Sequence, residues 1–177
     1  MRLFRSFLIP FVAIMGISLP AKALDTVKIL FVDTGNTGRS VTAEALAKVI
    51  IHDRHLPVLV ISRAVDEDPF ETAPEANVVT ILSKRGIDVS GHQAAQVIEN
   101  DVRHATLILT MTAKHKARLL ALYPAIADHV FTLAEYATGE AKDVDDAYGK
   151  PVEFYENMVS QVDGYIAGAL DKATAAK

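Results

Sequence analysis

The residues of this chain best placed to do chemistry lie between Ile29 and Ser40. An apolar run, Ile29 to Val32, leads straight into Asp33-Thr34-Gly35-Asn36-Thr37-Gly38-Arg39-Ser40, and a helical pattern starts at once behind it. A tight Gly/Asn-rich loop of this kind turns backbone N–H groups inward. The following helix adds its partial positive charge, and Arg39 can clamp two oxygens of an anion. Thr34 to Ser40 therefore read as a cradle for phosphate or a similar oxyanion. At its mouth stands a carboxylate, Asp33, and the chain has no cysteine, which excludes a thiol nucleophile, a disulfide and a cysteine-held metal.

The pattern around the loop supplies the elements to hold it. Lys28 to Val32, Val58 to Ser62, Thr106 to Thr110 and His129 to Leu133 read as short apolar strands. Val41 to His52, a segment from about Pro74 to Arg85-Gly86, Ala113 to Leu122 and Glu153 to about Ala173 have helical spacing. Strand-helix alternation predicts one α/β domain whose parallel sheet is covered on both faces. Ligands of such sheets sit beyond the carboxyl ends of the strands, where the loop after the first strand falls.

Ahead of this domain, Met1 to Arg5 is basic, Phe7 to Leu19 is apolar and Ala21-Lys22-Ala23 is a small-x-small cleavage signal. Residues 1–23 read as a signal peptide, leaving 24–177 as a single exported domain, periplasmic or secreted, with no stable membrane anchor after cleavage. Arg2, Arg5 and Lys22 leave with the leader, which takes the formal charge from -4 to -7. So acidic a chain does not suit nucleic acid. Absence of cysteine suits an oxidising compartment.

Phe31 to Ala45 resembles the signature loop of the low-molecular-weight protein tyrosine phosphatases. The likeness continues through Gly86 to His92, Leu107 to Lys116 and Val130 to Tyr136, in family order. It implies a three-layer α/β sandwich with a four-stranded parallel sheet, and no cofactor or metal. It also implies roles: Arg39 as the phosphate-binding arginine, Ser40 as the hydroxyl supporting the loop, and Asn36 as the residue holding its bend. Asp146 then matches the general acid, with Ala147 in place of a proline, and Tyr148 matches the aromatic that flanks the substrate. Thr37 and its neighbours resemble the bacterial protein-arginine-phosphatase branch. Two departures stand out, because Asp33 replaces the family's nucleophilic cysteine and Gly38 a second cysteine that many relatives carry.

Three readings of Asp33 follow. Its carboxylate can fold into the loop and take the N–H bonds and the Arg39 fork meant for phosphate, leaving a degenerate phosphatase that binds a phosphorylated protein or small oxyanion. It can serve as nucleophile or base in an active phosphomonoesterase with Asp146 as acid. Or it can form an aspartyl phosphate with Mg²⁺, although Gly35 stands where the second aspartate of such a motif belongs. Elsewhere the readings are plain: His52 and His55 as a polar helix end, His92 and His115 as surface or packing residues, Asp66 to Asp68 as a solvated loop. Arg63 is open to a local pairing with those acids or a place near the cradle. The leader makes its own prediction: the mass of the exported chain corresponds to a first residue at Leu24, and a mass retaining Met1 removes the cleavage reading.

Overall fold

The computed structural model describes residues 26–175; the leader expected at 1–23 lies outside them. Four strands, β1 (Val27–Asp33), β2 (Val58–Ala64), β3 (Leu107–Thr110) and β4 (Val130–Thr132), form one parallel sheet in the order β2-β1-β3-β4. Ile29 lies in register with Val60 on one side and Leu107 on the other. β1 is thus central, and its apolar side chains alternate between two cores. Ile29 and Phe31 join the one beneath α1 (Arg39–Arg54), α2 (Ala76–Ser83) and α6 (Val152–Ala175). Leu30 and Val32 join the other, with Val102 of α3 (Glu99–His104) and Leu119 of α4 (Ala113–Leu122). Burial on both faces explains why β1 reads as a continuous apolar run. The three-layer sandwich expected from the sequence is the fold.

The helix expected from about Pro74 begins at Ala76, because Glu75 is extended (φ -58°, ψ 132°) and ties its N–H to Thr37 O at 3.0 Å. Two short helices were not expected. α3 has six residues, too few to show a period. α5 (Leu133–Thr138) follows a β4 shorter than the expected strand, and Thr132 caps it by accepting from Glu135 N–H at 3.2 Å, while Glu135 reaches back to Thr132 N–H. That reciprocal box is written in the sequence as Thr132-x-x-Glu135. Arg63 turns away from the cradle: its Nε donates to Asp101 at 2.9 Å and its Nη1 to Ser62 O at 2.8 Å.

From β1 the chain passes through α1 to β2 on one side, then returns across the sheet to β3 on the other. The β1–α1 loop therefore sits at the point where the strand order reverses, the usual ligand crevice of such sheets. The packing predicts that Ile108→Ala, fully buried in the centre of β3, lowers unfolding free energy by about 2–5 kcal/mol. Leu59→Ala, on the exposed side of β2, changes it by about 0.5 kcal/mol or less; urea unfolding of both variants checks the pair.

Candidate active site

Asp33 closes β1 and is 3 % exposed. Its Oδ1 accepts from Asn36 N–H at 2.6 Å and its Oδ2 from Ser40 N–H at 2.9 Å. Ser40 lies in the first turn of α1, and Gly38 before that turn offers no side-chain cap. Asp33 thus supplies from the end of a strand what an N-cap carboxylate supplies from within a helix: charge-assisted bonds to unpaired N–H groups at the positive end of the dipole. The expected infolding is what the structure shows for the N–H groups. It does not extend to Arg39, whose Nη2 is 3.1 Å from Asp146 Oδ2. Reach explains the difference, since a short side chain already committed to two N–H groups leaves the longer Arg39 free to meet the opposite wall.

Asn36 holds the bend as expected. It is fully buried with φ 58°, a conformation that asparagine tolerates better than most residues. Its Nδ2 donates to Ser40 Oγ at 2.9 Å, its Oδ1 accepts from Ala95 N–H at 3.2 Å, and its carbonyl oxygen lies 2.9 Å from His92 Nε2. His115 is likewise no surface residue: it is buried, and its Nε2 meets Thr34 Oγ1 at 2.9 Å. Burial first, then the Arg39 guanidinium, pushes this imidazole down to about 4. Both histidines brace the loop, and no spacing in the sequence announces it, because they come from segments 56 and 81 residues away.

Glu75 is the site residue that sequence reasoning missed. Its Oε2 accepts from Tyr155 OH of α6 at 2.5 Å, and its Oε1 lies 3.5 Å from Thr37 Oγ1. A Cβ on residue 38 would collide with Glu75 Oε1, so Gly38 is the residue that lets this carboxylate lie against the loop. Burial pushes Glu75 above the usual carboxylate range, and burial with the Glu75 bond pushes the Tyr155 phenol up to about 12, keeping it a donor. The loop carrying Asp146 is pinned despite lacking the proline: Val144 and Ala147 are buried, Val144 N–H donates to Met111 O at 2.9 Å, and Asp143 accepts from Ala113 N–H at 2.7 Å. Tyr148 faces the cleft with its OH donated to Glu71 Oε2 at 2.8 Å.

These parts enclose a cleft of about 280 Å³, lined by the loop residues Asp33, Thr34, Gly35, Thr37, Gly38 and Arg39 and roofed by Asp146 and Tyr148. The N–H groups of Thr34, Gly35, Thr37 and Gly38 meet no acceptor among the described residues. Among the same residues, no three acidic or histidine side chains converge as a metal ligand set would. Asp66, expected in a solvated loop, pairs with Arg118 at 2.8 Å on the rim.

A helix-capped anion loop at the switch point of a parallel sheet, with an arginine at its end and an aspartate opposite, is the site of a phosphatase class. Residues 28–175 match the family described as low molecular weight phosphotyrosine protein phosphatase, and the chain belongs to it. Over 135 residues it is 35% identical to a protein-arginine-phosphatase of Bacillus subtilis, covering 76% of this chain and 89% of that one. The solved low molecular weight protein tyrosine phosphatase of T. tengcongensis superposes with a TM-score of 0.78 at 34% identity, covering 83% of this chain and 99% of that one. A mutant of the YwlE arginine phosphatase with a phosphorylated active-site serine also superposes at 0.78, with 32% identity over 82% of this chain and 94% of its own.

His115 generates a pH prediction. The unfolded chain, with an ordinary imidazole near 6.5, takes up this proton before the folded chain does. The stability contributed is full above 6.5 and is lost as pH falls toward about 4, by about 3 kcal/mol at most. Urea unfolding across that window gives a steeper fall in the wild type than in His115→Gln; parallel curves count against a neutral, buried His115.

Proposed function

We propose that this protein is a non-hydrolysing member of its phosphatase family, exported by its leader, that keeps the family cleft as a binding site. One observation carries the reading: the Asp33 carboxylate already accepts the N–H groups of Asn36 and Ser40. The seat where the resemblance places a cysteine holds a carboxylate with both oxygens already bonded, a weaker nucleophile than the thiolate it replaces. In the family mechanism the loop stabilises a thiolate that attacks phosphorus while an aspartic acid protonates the leaving group. Here Asp146, the matching acid, is paired with Arg39, the matching phosphate clamp, so acid and clamp neutralise each other. A phosphorylated protein entering the cleft would meet the N–H groups of Thr34, Gly35, Thr37 and Gly38, which have no acceptor among the described residues, and would compete with Asp146 for Arg39.

A second reading has its own support. The phosphorylated serine of the YwlE mutant is an oxygen carrying phosphate at a relative's active site. Asp33 could accept a phosphoryl group in the same way, forming an aspartyl phosphate as one carboxylate oxygen bonds phosphorus and the alcohol departs with a proton from Asp146. The committed N–H bonds of Asp33 favour the first reading.

Hydrolysis of an aryl phosphate by the mature chain separates them. The non-hydrolysing reading expects no turnover with Mg²⁺ or with chelator, and turnover appearing in Asp33→Cys. In that background Asp146→Asn lowers kcat by about 10²-fold, the usual worth of a general acid. Wild-type turnover that disappears in Asp33→Ala establishes the aspartate as the working group and removes the first reading.

A further inference from the structure

A buried ring of the site, that of His115, has only one of its two nitrogens satisfied. The residue is 5 % exposed; Nε2 lies 2.9 Å from Thr34 Oγ1, while Nδ1 is buried with no partner among the described residues. That orphan decides where the ring carries its hydrogen. Burial, and then the Arg39 guanidinium, push the imidazole down to about 4, so at neutral pH it holds one hydrogen, on one nitrogen or the other. A hydrogen on Nδ1 would strand a donor in the interior and oblige Nε2 to accept from Thr34. A hydrogen on Nε2 strands only a lone pair, and folded interiors leave acceptors unmet more readily than N–H groups. The second tautomer fixes the polarity of the pair: His115 Nε2–H donates and Thr34 Oγ1 accepts.

The consequence falls on the other side of the hydroxyl. Thr34 has one O–H hydrogen to give, and it is not used on His115. Among the described residues Thr34 Oγ1 has no other partner, and Thr34 is exposed and lines the cleft. Its O–H therefore turns to whatever acceptor the cleft holds, beside the loop N–H groups of Thr34, Gly35, Thr37 and Gly38 that also meet no acceptor among those residues. The opposite polarity would spend the hydrogen on His115 and turn lone pairs toward an incoming anion. His115 is itself held in place from the first turn of α4, where its backbone N–H donates to Thr112 Oγ1 at 3.2 Å. The same turn donates Ala113 N–H to Asp143, in the loop that carries Asp146, so one helix end positions both the ring and the roof of the cleft.

We infer that His115 is a positioning residue for anion binding: by donating from Nε2 it turns the Thr34 hydroxyl into an oxyanion donor alongside the backbone N–H groups of the loop. The inference rests on the reading of the cleft as a binding site. Two measurements on the mature chain at neutral pH test it, a long-range nitrogen–proton NMR correlation of the imidazole and a calorimetric titration with inorganic phosphate. The wild type shows hydrogen on Nε2 and a bare Nδ1. Thr34→Val lowers phosphate affinity by about tenfold, the usual worth of a hydrogen bond to a charged group, and Thr34→Ser restores it. His115→Gln, whose amide still donates to Thr34, stays within about twofold of the wild type. His115→Met, which offers no donor, lowers affinity by about threefold or more, because the hydroxyl must then be ordered by the ligand. In that background Thr34→Val costs less than it does in the wild type.

Hydrogen on Nδ1, or an even mixture of tautomers, overturns the inference, and the wild-type spectrum reads this even where a variant fails to fold. Equal phosphate affinity in His115→Gln and His115→Met makes His115 a packing residue and overturns it as well, as does a Thr34→Val chain that binds phosphate like the wild type. A wild type that binds no phosphate overturns it together with the binding-site reading, whereas a phosphate-binding wild type with hydrogen on Nδ1 overturns it alone.

Discussion

The architecture of the site depends on where one carboxylate puts its two oxygens. Asp33 ends the central strand and accepts N–H bonds from the bend at Asn36 and from the first turn of α1 at Ser40. Strand, loop and helix are thereby joined through a single side chain at 3 % exposure. Two N–H groups at the base of a loop shaped to gather them around an external anion are instead taken by one covalently attached at the end of its own strand. The anion need not be recruited from solvent, so no ordering of a free ligand opposes the arrangement.

The remaining contacts extend from that commitment. Arg39 turns to Asp146 across the cleft, its Nη2 3.1 Å from Asp146 Oδ2. Gly38 leaves space, and Glu75 fills it, held from behind by Tyr155. Asn36 and Thr34 are braced by His92 and His115. The chain has the fold of its phosphatase family, and fold and chemistry are separable: the fold is set by layers of apolar packing, the chemistry by a handful of side chains at one sheet edge.

Much of the fold was legible before any coordinates. The apolar run of β1, the helical spacing of α1, α4 and α6 and the alternation of strands with helices carry their own physical signals, because periodicity reports which faces are buried. The position of the loop at the functional edge follows from that alternation. What escaped were elements too short to show a period, α3 and α5, although the Thr132 and Glu135 box did mark the start of the latter. The anion-binding character of the loop and of Arg39 could be read from residue types and order, whereas the roles of Asn36 and Ser40 came from the family resemblance.

The sequence by itself determined the local chemistry: a carboxylate at a strand end, an N–H-rich loop, an arginine and a helix start, all within one stretch whose geometry is set by short-range backbone constraints. Only the tertiary structure decided how those groups are occupied. Glu75, His92, His115 and Asp146 reach the loop from segments dozens of residues away, Tyr155 holds Glu75 from behind, and Arg39 pairs with Asp146. Long-range pairing of this kind leaves no period or motif in the chain, since it is fixed by packing the layers together rather than by any neighbourhood along the backbone.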